Sequence, residues 1–182
     1  MKQALLLVDI QNDYFPGGKM ELVGMKAAAA QAQALLAEFR RRQWPTYHIQ
    51  HVSLRKGAPF FLPETPGVAI HESIAALPGE TVIEKHFPNS FRDTGLQERL
   101  AAAQVGELVI CGAMSHMCID ATTRSAVDLG FTCTVIHGAC ATRDLTFGEV
   151  LIPARQVHGA FMAALAFFYA RVVSAEDFWR NL

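Results

Sequence analysis

Leu108-Val109-Ile110-Cys111, running without a break into Gly112-Ala113-Met114-Ser115-His116-Met117-Cys118, is the stretch that decides the fold. Four consecutive apolar residues, with no polar alternation, mark a strand covered on both faces, as in a parallel sheet. The glycine-bearing turn after it leads into a helical pattern over 116–129, and Gly130 follows where a helix stop is expected. Working outward, runs of the same kind recur at 4–8, 46–49, 81–83, 132–136 and 172–173. Helical stretches over 25–42, 94–104 and 153–168 alternate with them. The first of these ends in Arg40, Arg41 and Arg42, which suits the negative end of a helix dipole, and Pro153 suits a first helical turn. This alternation predicts an α/β fold, an open, doubly wound sheet of six mostly parallel strands with right-handed crossovers. The segment 52–77 carries Pro59, Pro63 and Pro66 without a clear period and is expected to be a long loop over one edge of the site.

At 182 residues, without internal repeat or linker, the chain is expected to form a single domain over 1–182. Charged residues make up 18%, against a typical fraction of about 25%, which excludes a disordered protein and suits buried elements. The net charge of −1 supplies no basic field, so nucleic acid is not expected as a partner. The apolar run at 4–8 ends at Asp9, too early for the core of a signal peptide. The longest apolar stretch, 159–170, has 12 residues where a membrane span needs about 20. Four cysteines without close pairing do not make a disulfide scaffold. A soluble, cytoplasmic protein with no membrane partner is the expectation.

Ligands of open α/β sheets bind at the carboxyl ends of the strands. Asp9 ends the first strand, Lys85 follows the third, and the fourth runs toward Cys118. A cysteine at a helix start gains thiolate character, a nearby lysine lowers its pKa further, and an aspartate can take its proton. On the residues alone, a buried inert cysteine remains an open alternative.

Asp9-Ile10-Gln11-Asn12-Asp13-Tyr14-Phe15 followed by Pro16-Gly17-Gly18, then Glu84-Lys85, then Gly112 to Cys118, resembles the isochorismatase-like cysteine hydrolases, a family that includes nicotinamidases and other small amidases. The resemblance spans nearly the whole chain, down to Val172-Val173-Ser174-Ala175-Glu176-Asp177. It implies a three-layer αβα sandwich and a catalytic triad of Asp9, Lys85 and Cys118. It also implies a cis peptide between Ala113 and Met114, with an oxyanion hole formed by the Met114 and Cys118 amides. In the chemistry that follows, Cys118 attacks an amide-like carbonyl to give a thioester, Asp9 shuttles the proton, and Lys85 holds Asp9 ionised.

Two rivals stand beside this reading. One is isochorismatase-type vinyl-ether hydrolysis, which does not require the cysteine as nucleophile. The other is a flavodoxin-like ligand-binding or redox domain without hydrolysis, for which no glycine-rich nucleotide motif is present.

Tyr14, Phe15, Phe60, Phe87 and Phe91 are candidate walls of a pocket for a small-molecule substrate, with plain core as their other reading. His116 either contacts substrate or caps the helix. Asn12 and Asp13 are expected to fix the loop after the first strand. His158, Cys111, Cys133 and Cys140 are read as structural. No metal or other cofactor is expected. Where nicotinamidases carry an Asp-Trp-His-like run, this chain reads Tyr47-His48-Ile49-Gln50-His51. His48 and His51 point to opposite faces of an extended segment, and His71 lies 20 residues further on. A homo-oligomer is expected from the resemblance and the low charge.

Overall fold

Six parallel strands form the central sheet in a computed structural model that describes residues 2–181. Met1 and Leu182, the ends of the single domain expected over 1–182, lie outside the described residues. The strands are β1 (Lys2–Val8), β2 (Thr46–His51), β3 (Thr81–Lys85), β4 (Val105–Ala113), β5 (Thr132–Ala141) and, at the far edge, β8 (Arg171–Val173). Their spatial order is β3-β2-β1-β4-β5-β8, a doubly wound arrangement whose direction of winding reverses between β1 and β4. A crevice opens at the carboxyl ends of the strands on either side of such a reversal.

β1 explains why the apolar runs do not alternate. Leu5 and Leu7 point into one core cluster, with the apolar face of α1 (Met25–Arg41) and Phe178 of α5 (Ala175–Arg180). Ala4, Leu6 and Val8 point into a second cluster with α2 (Leu96–Ala102), α3 (Asp120–Asp128) and α4 (Ala154–Phe168). Each fully buried leucine contributes about 1.5–3 kcal/mol, so a strand covered on both faces uses every position. The result is the three-layer αβα sandwich. In α1 the buried residues Met25, Ala28, Ala29, Ala32, Leu35, Leu36 and Phe39 recur at helical spacing, and alanines let the helix lie close to the sheet.

Two strands reach beyond the apolar runs that signal them. β2 continues through Gln50 to His51, and β5 continues to Ala141. The β4–β5 register slips where Ile110 pairs with Val135 but Gly112 pairs with Cys140. The sequence reading also left two elements unassigned. Leu145–Phe147 (β6) and Val150–Ile152 (β7) form an antiparallel hairpin closed by Gly148 and Glu149. Helix α5 starts at Ser174, whose hydroxyl accepts from the Asp177 amide at 3.0 Å. The segment 52–77 is a loop with two short 3-10 turns, as expected. Among the described residues, no helix is long and apolar enough to cross a membrane.

Candidate active site

Asp9 stands at the carboxyl end of β1 with φ +53°, in the left-handed region that an aspartate tolerates better than most side chains. That conformation turns the chain off the sheet. Gln11, fully buried, then accepts from the His51 amide at 2.8 Å and donates to the His51 and Val68 carbonyls at 2.9 and 2.7 Å. It thereby fixes the end of β2 beside that of β1. Asp13 accepts from the Lys19 and Phe61 amides, so it does fix the loop after β1, and it ties the 60–61 segment to it. Asn12 makes the same kind of tie through Pro66.

At the end of β4, Gly112 has φ +126°, and a Cβ there would collide with the Val8 carbonyl. The next peptide, Ala113–Met114, is cis. The helix expected over 116–129 is divided. Ser115–Ile119 forms a wider π-type turn, in which the Met114 carbonyl accepts from Met117 and Ile119, and α3 proper begins at Asp120. Cys118 therefore lies within this turn, at a depth that leaves it 5% exposed.

These elements bring Asp9, Lys85 and Cys118 together. The fully buried Lys85 Nζ donates to Asp9 Oδ2 at 2.8 Å, to the Phe87 carbonyl at 3.1 Å and to Cys118 Sγ at 3.3 Å, and its fourth neighbour is His51 Nδ1 at 3.1 Å. An ammonium has three hydrogens, so four acceptors compete for them. Asp9 Oδ1 has no protein partner and is free to accept the thiol proton.

The electrostatics differ from the thiolate expected of a helix start. Burial pushes the Cys118 thiol well up and the Asp9 charge adds to this, while Lys85 pulls the other way. The resting group is a thiol, because the surroundings that would favour a thiolate are outweighed by loss of water. Burial alone would lower Lys85, yet the Asp9 and Cys118 charges and hydrogen bonds leave it raised, so it remains an ammonium.

His51 is the residue that sequence reasoning considered only as a metal ligand. Its signal was available. Extended by two residues, β2 ends on a histidine that is the register partner of Lys85. Burial, and then the Lys85 charge, hold His51 down to about 4, so at neutral pH it is uncharged and its Nδ1 accepts from the ammonium. His48, as expected, faces elsewhere. It meets Glu80 at 3.0 Å, and Glu80 pairs through both oxygens with Arg40 of α1.

Three possible metal ligands do come together, from Asp9 and Cys118 with His51 rather than from the histidines alone. Ligand atoms of Asp9, His51 and Cys118 lie within 4.8 Å of one another. Asp9 follows β1, His51 ends β2 and Cys118 follows β4, so the carboxyl ends of three strands produce this cluster. Its centre, however, is taken by the Lys85 ammonium, which contacts all three groups. A divalent ion would have to displace a buried positive charge, so the donor set does not fit a resident metal.

The aromatic candidates separate. Phe60 and Phe87 line a cleft beside His51. Tyr14 lies behind Phe60, its ring 5.7 Å from that of Phe60 and 4.5 Å from that of Phe61, and burial followed by the Cys118 and Asp9 charges raises its hydroxyl pKa. Like Tyr14, three further candidates do not line this cleft. Phe15 stacks on His71 at 3.6 Å and belongs to the core over α1. Phe91 stacks on Phe131, which precedes β5. His116 bonds Thr142 at 2.6 Å and packs edge-on to Phe161 of α4. Each found a packing partner that burial rewards more than a place in an open cleft.

Besides His51, burial depresses His48, His71, His116 and His158. A depressed histidine leaves the native state binding fewer protons than the unfolded chain below pH 6.5, so stability is present above that value and is lost as pH falls. Between pH 7.5 and 5, His51 alone accounts for about 2 kcal/mol. Urea midpoints measured over this range should fall steadily toward acid. A flat profile would contradict the burial of these rings.

Comparison with known proteins agrees with this architecture. A family model for the isochorismatase domain matches residues 3–177. An isochorismatase family protein of Bacillus subtilis, YddQ, is 53% identical over 178 residues, 98% of this chain and 99% of that one. Streptothricin hydrolase of Streptomyces noursei is 38% identical over 146 residues, 79% of this chain but 51% of its own length. The crystal structure of an isochorismatase hydrolase from Oleispira antarctica superimposes with a TM-score of 0.94 at 54% identity, covering 97% of this chain and 95% of that one. With the family model spanning nearly all of it, the chain belongs to the isochorismatase family.

Proposed function

We propose that this hydrolase cleaves a small, non-peptide amide-like C–N bond through a thioester on Cys118. The observation that carries the reading is the Lys85 ammonium held between the Asp9 carboxylate and the Cys118 sulfur, at 2.8 and 3.3 Å. A buried lysine in a merely structural ion pair has no need of a third, nucleophilic neighbour. That one relative is named a streptothricin hydrolase is in keeping with hydrolysis in this family.

Cys118 Sγ attacks the carbonyl carbon as its proton passes to Asp9 Oδ1, the unpartnered oxygen. Lys85 remains protonated and moves one hydrogen bond toward the sulfur as negative charge develops there. The tetrahedral oxyanion is received by the Met114 and Cys118 amides. Asp9 returns the proton to the nitrogen, the C–N bond breaks, and ammonia or an amine leaves. Water then attacks the thioester, giving its proton to Asp9, and the thiolate departs and is reprotonated. Every step keeps Asp9 within reach of both sulfur and substrate.

An ammonia-release screen over small amides and ureides tests the reading. Turnover should survive exhaustive chelation, because the ammonium already fills the centre of the only three-ligand cluster found among the described residues. Loss on chelation with recovery on adding zinc, iron or manganese would overturn the metal-free mechanism. The buried, unpaired cysteines support a reducing, cytoplasmic location.

Self-association is part of the proposal. Phe147 on the β6–β7 hairpin and Phe167 on α4 are 82% and 91% exposed, apolar surface that a second copy would cover. Light scattering should give a mass above the 20.0 kDa of one chain, and Phe167→Glu should lower it. A 20 kDa species for the unaltered protein would contradict this part.

A further inference from the structure

A cleft of about 650 Å³ opens beside the triad, and two of its lining residues touch Lys85, His51 through its ring and Phe87 through its carbonyl. Phe60, Phe87, Leu54 and Pro59 make its walls mostly apolar. The rings are held in place. Phe60 packs edge-on against the fully buried Phe61, whose amide donates to Asp13. Asn89 and Ser90 tie the segment after Phe87 to Ser125 and Thr122 of α3.

The polar side chains that line the cleft are His51, Ser53, Arg55 and His86; Arg55 is the one permanent cation, and no carboxylate is among them. Among the described residues, no acidic group lies within ion-pair distance of Arg55. Glu84 stands 3.6 Å from His86 Nε2 but is not a lining residue. The Arg92 guanidinium lies 3.6 Å from the Phe87 ring but is paired with Asp93 at 3.7 Å, which leaves Arg55 as the cation of the cleft. His51, uncharged and accepting through Nδ1, carries its hydrogen on Nε2 and so offers another donor. Apolar walls with donors and a cation, and no anion, complement a flat apolar group ending in an acceptor of negative charge.

We propose that the cleft selects amides whose acyl part is flat and apolar and carries a carboxylate remote from the scissile bond, held by Arg55. The inference rests on the hydrolase reading and deepens it by naming the class of substrate. Arg55 acts on binding, so its effect lies in kcat/KM for the charged substrate relative to the neutral one.

Three probes share one skeleton: benzamide, its para-carboxylate, and its para-aminomethyl derivative. The carboxylate should be preferred over benzamide by about fivefold or more in kcat/KM, the size of a charge-assisted hydrogen bond at a partly exposed site, and the cationic probe should be poorest. The preference should shrink with added salt, as a partly exposed charge interaction does. Arg55→Gln should bring the carboxylate-to-neutral ratio close to one, and Arg55→Glu should reverse the order of the charged probes. Benzamide turned over as well as or better than its carboxylate would overturn the proposal while leaving the hydrolase reading intact, without recourse to any variant. An unchanged order of probes in Arg55→Glu would overturn it as well. Failure of every amide in the broader screen would remove both.

Discussion

Cys118→Ala is expected to lower turnover by roughly 10⁴–10⁶-fold while leaving the fold intact, the range found when a covalent nucleophile is removed from a preorganised site. The fold should survive because the substitution creates no unpaired charge. Lys85 keeps Asp9, the Phe87 carbonyl and His51 as acceptors, one for each of its three hydrogens. Only the sulfur is lost, from a site already close to the cleft. Ammonia release measures the activity, and a thermal or urea melt measures the fold. Cys118→Ser is the stricter companion variant. The hydroxyl keeps the volume and the hydrogen bonds, but it is far harder to deprotonate, and Asp9 has no more driving force to offer. It should also be nearly inactive. Full activity in Cys118→Ala would favour vinyl-ether hydrolysis, in which Asp9 and Lys85 act on the substrate without a thioester.

How far such a site can be read from sequence depends on what each residue needs. The parallel strands and the two helical layers, though not the strand order, follow from uninterrupted apolar runs, and β1 shows why, since Leu5 and Leu6 face opposite cores with equal burial. Asp9, Lys85 and Cys118 were legible because each ends or follows a strand, and the resemblance supplied their partnership. The β6–β7 hairpin was not legible. Its three-residue strands alternate too briefly to establish a period, and its apolar side chains face outward. The aromatic pocket was legible only in part, because a phenylalanine is buried as favourably by Phe131 or His71 as by a ligand. His51 was misread for a different reason. Its chemistry depends on Lys85, its neighbour in space but 34 positions away in sequence, and the ring's state is set by burial and then by that charge. The protonation of Cys118 likewise depends on burial, which a helix-start argument does not contain.

Asp9→Asn should remove both activity and stability, and a second substitution should return only the stability. In the proposed mechanism the carboxylate is the proton acceptor for the thiol and the donor to the leaving nitrogen, so its loss should cost roughly 10²–10⁴-fold in rate. It is also the single anion facing a lysine of zero exposure, at 2.8 Å. Breaking one partner of a buried pair typically destabilises by about 3–5 kcal/mol, because the remaining charge is left without water or counter-ion. Lys85→Met added to Asp9→Asn removes that charge, and the double variant should recover most of the lost stability while remaining inactive. The pH dependence separates this account from simple loss of packing. In the unaltered protein the raised Lys85 gives stability that is present below its unfolded value and lost as pH rises through the folded one. In Asp9→Asn the unpaired ammonium is disfavoured, so the folded state binds fewer protons than the unfolded chain, and stability should increase from pH 7 toward pH 9 relative to the parent. Urea midpoints for the parent, Asp9→Asn, Lys85→Met alone and the double variant at these two pH values measure the coupling directly. Equal destabilisation at both pH values, or no recovery in the double variant, would mean that Asp9 holds the fold through its backbone turn rather than through Lys85.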